Sequence, residues 1–189
     1  MTIYLASESP RRSMLLQKIG LNFRRIKPNA EEISEEDLEP EEYVITNAVR
    51  KARSILPQID EGIIIAADTI VVKDSEILGK PLDEKDAIRM LSKLSGASHD
   101  VYTAIVLLEK GTNKMEVEIE QTRVEMRKIS SKQIQKYVES GEPLDAAGAY
   151  KIQERGAKFI RRIEGCYYNV VGLPISMLVE MLKKFNVYV

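Results

Sequence analysis

Residues 62–72 read Gly-Ile-Ile-Ile-Ala-Ala-Asp-Thr-Ile-Val-Val, and this run restricts the fold more than any other stretch of the chain. Successive apolar and β-branched positions with no polar alternation predict a strand covered on both faces, which belongs in a parallel or mixed sheet flanked by helices. One residue breaks the pattern. Asp68 places a carboxylate in the run, and burying it costs several kcal/mol unless a cation, a metal or hydrogen bonds compensate. The bland reading is a carboxylate at the strand mouth capping a turn; the functional one is a reactive or metal-binding group.

The rest of the sequence alternates strand-like and helix-like segments, the pattern of a mixed α/β protein. Thr2–Ala6 reads as a buried strand. Ser9 then reads as a helix N-cap with Pro10 at the first helical position, Leu15, Leu16 and Ile19 inward, and Gly20 at the end. Phe23–Lys27 is a second short strand. Residues 31–42, rich in Glu with Pro40 inside, read as a solvated acidic loop and helix start. A helix is expected over Tyr43–Leu56, stopped by Pro57, and another over Asp83–Leu94 with Asp83 as cap. Val101–Leu108 is a strand. Met115–Arg127 is strand-like, but its apolar positions change parity between Ile119 and Val124, which predicts a bulge or break. Ser130–Ser140 forms a helix closed by Gly141, Phe159–Ile163 a short strand, and Pro174–Phe185 a last helix. With no repeat and no long linker, residues 1–189 read as a single α/β domain.

Composition limits the chemistry. There is one cysteine, Cys166, and one histidine, His99, so neither a disulfide framework nor a Cys/His metal cluster can form within the chain. A metal would have to be hard and oxygen-bound, Mg²⁺ or Mn²⁺ rather than Zn²⁺. The net charge of −1 gives no general reason to expect duplex nucleic acid or an anionic membrane as partner. The first residues lack a secretory pattern, and the apolar run Ile63–Ala67 is far too short to span a bilayer, so a cytoplasmic location is expected.

Four segments could carry chemistry. Ser7-Glu-Ser9-Pro10-Arg11-Arg12 puts two cations in the first turn of a helix, where the dipole favours anions. A bound polyphosphate would explain them, though a capped helix with two surface arginines explains the segment equally well. Asp68 is the second. Gly79-Lys80-Pro81 could fix Lys80 as a point charge for phosphate, or be a turn with a solvated lysine. Glu142-Pro-Leu-Asp145-Ala-Ala-Gly148-Ala-Tyr150-Lys-Ile-Gln153 could bring backbone close to a ligand, with Gln153 reading a base edge; alone it reads better as a small-residue packing segment. His99 reads as a structural hydrogen-bonding residue, and Cys166 as a buried or half-buried thiol.

Taken in order, Leu5-Ala-Ser7-Glu-Ser9-Pro10-Arg11-Arg12, Ala67-Asp68-Thr69, Gly79-Lys80-Pro81, Leu94-Ser-Gly-Ala-Ser-His99, Glu142-Pro through Ile152-Gln153 and Ile163-Glu-Gly165 through Gly172-Leu-Pro174 resemble the Maf family of nucleotide pyrophosphatases. The resemblance covers nearly the whole chain. It implies an elongated mixed sheet with flanking helices and two lobes around a cleft, similar to the inosine triphosphate pyrophosphatases. It also implies release of pyrophosphate from nucleoside triphosphates with a divalent cation. On this resemblance Asp68 is the catalytic carboxylate, with Glu32 as a further metal ligand. Ser7, Arg11, Arg12, Lys51 and Lys80 are substrate-binding residues. Thr69 and Gln153 look like the branch acting on dTTP and UTP; the branch acting on 7-methyl-GTP usually has Gln after the Asp. Two positions depart from the pattern: Ala146 stands where many members have Lys, and Glu154 where Gly is common. The alternatives are a pyrophosphatase for modified nucleotides such as 5-methyl-UTP, pseudo-UTP or 5-methyl-CTP, and a non-catalytic nucleotide-binding regulator of cell division. Tyr167, Tyr168 and the last helix could form a homodimer face or belong to the core.

Overall fold

The computed structural model describes residues 1–30 and 38–189. The chain divides into two compact units: Met1–Asp68, Thr103–Glu120 and Gly172–Val189 form the first, Thr69–Tyr102 and Gln121–Val171 the second. No helix among the described residues is long and apolar enough to cross a membrane.

In the first unit, strand β1 (Ile3–Ala6) leads into helix α1 (Pro10–Lys18), strand β2 (Arg24–Ile26), helix α2 (Pro40–Ser54) and strand β3 (Gly62–Lys73), of which residues up to Asp68 belong here. β1 lies between β2 and β3, parallel to both, with Tyr4 opposite Arg24 and Ile64. Parallel strands need helical crossovers, and the sequence supplies α1 and α2 for that purpose. Leu15, Leu16, Val44, Ala48 and Ala52 face inward, while Ile63, Ile64 and Ile65 are fully buried. Each such aliphatic side chain contributes roughly 2 kcal/mol by leaving water. Gly62 is required where β3 begins, because a Cβ there would lie 2.4 Å from the Thr2 carbonyl oxygen.

In the second unit, β3 turns back through Asp74 and Ser75, both at positive φ (51° and 63°), to pair antiparallel with β4 (Glu76–Leu78). Two successive left-handed residues make the turn that matches the twist of a two-residue hairpin. Helix α3 (Glu84–Leu94) follows, its amide at Asp86 donating to the Asp83 carboxylate at 2.8 Å. Strand β5 (Ser98–Lys110) and strand β6 (Met115–Met126) each supply residues to both units. Helix α4 (Ser131–Val138) opens with a reciprocal cap between Ser130 and Gln133. After three short 3-10 turns come strand β7 (Ile160–Glu164), antiparallel to β6, and helix α5 (Tyr167–Val171). Helix α6 (Ile175–Lys183) returns to the first unit. The strand order is β2-β1-β3-β5-β6-β7, with β4 beside β3.

The mixed α/β class and flanking helices agree with expectation. Of the bulge or break expected between Ile119 and Val124, the break is not there: β6 runs as one strand from Met115 to Met126, and where it pairs with β7 the register shifts between Glu125 and Met126. The change of apolar parity falls where β6 passes from the first unit to the second, at Glu120/Gln121, and so marks a change of packing surroundings.

Candidate functional site

β1 ends at Ala6, opposite Ala66, so Ser7 leaves the sheet beside the stretch of β3 that holds Asp68. The outlet at the carboxyl ends of parallel strands is where open α/β sheets bind ligands. Ser7 is buried, and its Oγ accepts a hydrogen bond from the Ser9 amide at 3.1 Å. Arg12 donates from Nη1 to Ser7 Oγ at 3.4 Å and from Nε to the Gly172 carbonyl at 2.8 Å. Ser9 occupies the N-cap position, but its side chain makes no cap bond, and no acidic residue lies in the first turn of α1. That helix start therefore keeps its partial positive charge and adds Arg11 and Arg12, both half-buried, to it. Such a concentration of positive charge suits a polyphosphate.

Asp68 is 6% exposed, and Lys51 Nζ stands 2.5 Å from its Oδ1. The ammonium offsets the cost of burying the carboxylate. Lys51 shares one face of α2 with Tyr43 and Asn47, at spacings of four residues, and Asn47 is 1% exposed. Asn47 went unnoticed in the sequence; the signal that could have found it is its position one turn before Lys51, on a stripe that is otherwise apolar.

A divalent cation can be tested against these donors. The Asp68 carboxylate is a hard oxygen ligand of the type Mg²⁺ and Mn²⁺ prefer. Among the described residues no group of three or more His, Cys, Asp or Glu side chains gathers to hold a metal. Glu32, the second expected ligand, lies outside the described residues. The donor chemistry at Asp68 fits, and its partner carboxylate has to come from elsewhere than a preformed cluster in this part of the chain.

Thr69, Lys80 and Gln153 belong to the second unit. Thr69 follows Asp68 on β3 and is half-buried; Lys80 is exposed between Gly79 and Pro81. The Gly148 amide donates to the Gly79 carbonyl at 3.0 Å, which ties the turn carrying Lys80 to residues 147–149. Gly148 has φ +66° and packs so closely on Val71 that a Cβ would meet the Val71 side chain at 2.8 Å. The next residue, Ala149, also has positive φ. One corner of backbone therefore touches both the strand of Thr69 and the loop of Lys80.

Beyond that corner, Tyr150 and His99 meet edge to face, with His99 Nε2 2.8 Å from the Tyr150 hydroxyl. Burial, with a smaller contribution from the Lys73 charge, lowers the His99 pKa to about 4, and burial raises that of Tyr150, so both stay neutral near pH 7. The structural role expected for His99 is borne out. On the far side of Gln153, the Tyr137 hydroxyl accepts from the Lys151 amide at 3.1 Å and donates to Glu142 at 2.8 Å. Glu142 also accepts from the amides of Arg155 and Gly156. Gln153 sits on the short stretch fixed at both ends by these bonds, and its Nε2 is buried with no hydrogen-bond partner among the described residues. A buried amide donor left unsatisfied has a substantial cost, and a ligand acceptor would remove it.

A profile of the Maf-like protein family matches residues 2–185. The chain belongs to the Maf family. It is 44% identical over 184 residues to a dTTP/UTP pyrophosphatase of Pelotomaculum thermopropionicum, covering 97% of this chain and 96% of that protein. It is 46% identical to a dTTP/UTP pyrophosphatase of Carboxydothermus hydrogenoformans, covering 98% and 100%. The structure of the Staphylococcus aureus Ham1 protein, 14% identical, aligns over 97% of this Maf chain and 99% of that one with a TM-score of 0.53, a likeness of fold.

Proposed function

We propose that this Maf protein hydrolyses dTTP and UTP to the monophosphate and pyrophosphate. The observation that carries the reading is the Lys51–Asp68 pair: a buried carboxylate matched by an ammonium, beside the Ser7 turn where Arg12 is anchored. The full-length similarity to proteins named dTTP/UTP pyrophosphatase supports the substrate class. In the proposed reaction water attacks the α-phosphorus, its proton passes to Asp68, and the bond to the β-phosphate bridging oxygen breaks. Arg11, Arg12, Ser7 and Lys80 bind the β and γ phosphates and stabilise the departing pyrophosphate, mainly by fixed charge. Lys51 offsets the charge of the Asp68 carboxylate across their contact. Asp68 and Glu32 would hold a Mg²⁺ or Mn²⁺ ion, which when bound would neutralise charge and lower the pKa of water.

Base choice falls to Thr69 and Gln153. Uracil and thymine present a carbonyl at position 4, where cytosine presents an amino group. The unsatisfied Gln153 donor would be met by the former and left unmet by the latter, which is how a polar site rejects a near-isostere. The test is pyrophosphate release from a panel of canonical and modified triphosphates by purified protein with Mg²⁺. Release concentrated on dTTP and UTP supports the reading. Preference for 5-methyl-UTP, pseudo-UTP or 5-methyl-CTP would keep the chemistry and overturn the substrate, and no release from any nucleotide would favour a nucleotide-sensing protein.

A further inference from the structure

The corner at residues 147–150 carries a buried polar pair that the reaction above does not use. His99 is 2% exposed and Tyr150 5%, and their hydrogen bond joins the start of β5 to the residue that opens the path to Gln153. His99 Nδ1 is buried and has no partner among the described residues. In either tautomer the ring shares one hydrogen bond with the tyrosine hydroxyl, and that bond is the polar tie between the two side chains. Three residues later Gln153 Nε2 is also buried and unsatisfied. A non-glycine residue at positive φ, as Ala149 is, holds only when its surroundings over-determine it. The supports of this segment are the Val71 side chain, the Gly79 carbonyl and the His99–Tyr150 bond.

We propose that His99 and Tyr150 are positioning residues for base selection: their hydrogen bond fixes the 147–153 segment and so the place of the Gln153 amide, without touching substrate. This rests on the reading of Gln153 as the group that recognises the base. Because the pair acts through binding, its loss raises KM and leaves kcat nearly unchanged.

The variants are Tyr150→Phe, which keeps the ring and removes the hydroxyl, His99→Leu, and His99→Gln, whose amide nitrogen reaches about as far as Nε2. Hydrogen exchange of amides 147–153 reports the positioning directly, and kcat and KM for UTP and CTP report its use. Tyr150→Phe and His99→Leu should speed exchange in that segment and lower kcat/KM for UTP about tenfold, through KM, with little change for CTP. His99→Gln should restore both. Unchanged exchange in Tyr150→Phe overturns the positioning role whatever the activity does. Faster exchange with equal losses on UTP and CTP, or with none, makes the pair a structural tie only and overturns its part in selection. Absence of turnover in the wild-type protein defeats the functional reading itself, and the exchange data still judge the pair.

Discussion

The functional residues of the first unit and those of the second are held in place by different means. Arg12 is held by Ser7 and a backbone carbonyl, and Lys51 by Asp68, so that each charge faces a countercharge or a hydrogen-bond acceptor. Thr69, Lys80 and Gln153 sit on backbone that is pinned by Gly148, Tyr150 and Glu142, while Lys80 stays exposed and the Gln153 amide stays unsatisfied. A charged group in a low-dielectric place cannot wait unpaired, because the cost is several kcal/mol; a neutral amide can, because its cost is about 1–3 kcal/mol. On the proposed reading, reactive charge is thus stored in compensated form, and recognition as an open hydrogen bond.

The sharpest way to break this contrast is Asp68→Asn, which should lower kcat for pyrophosphate release about a thousandfold while the protein stays folded by circular dichroism. Activity within tenfold of wild type would remove Asp68 from the chemistry. Lys51→Met leaves the buried carboxylate without its ammonium and should cost about 3 kcal/mol in urea unfolding at pH 7; an unchanged midpoint would mean the pair carries no stability. His99 gives a pH-dependent comparison. Its folded pKa of about 4 lies below the ordinary value of 6.5, so the unfolded chain binds the proton first and stability falls as pH drops through that window. Between pH 7 and pH 5 the loss should be about 2 kcal/mol, and His99→Gln should flatten that part of the profile. The smallest effect sharpens the contrast most. Gln153→Leu removes an unsatisfied amide, so stability should hold or rise by up to about 1 kcal/mol while kcat/KM for UTP falls about tenfold. A destabilised Gln153→Leu protein would show that the amide serves the fold.

Where local chemistry decides the structure, the sequence was a sufficient guide. The apolar run of β3, the Asp83 cap, Pro10 at the first turn of α1 and Gly141 after α4 each act within a few residues, and each stands where expected. Boundaries that depend on tertiary packing were harder. Pro40 begins α2 instead of lying in the acidic loop, since a first-turn proline has no lost bond to regret. Helix α5 over Tyr167–Val171 was missed because five residues give no helical period to read. Of the candidate site residues marked by resemblance, Arg12 is in contact with Ser7 and Lys51 with Asp68. The His99–Tyr150 bond spans 51 positions, and the bonds by which Tyr137 and Glu142 hold the backbone on either side of Gln153 span 13 or 14. Neither pairing leaves any trace in residue spacing, which records near neighbours along the chain and not those across it.

The bond from Arg12 to the Gly172 carbonyl has a consequence for how the protein is made. It joins positions 160 residues apart. Synthesis runs from the N-terminus, so β1 and α1 emerge from the ribosome long before their last anchor has been translated. A nascent chain can build the α1 turn early, but the arginine's final setting waits for the closing segment. A chain interrupted before Gly172 therefore leaves Arg12 without its backbone anchor.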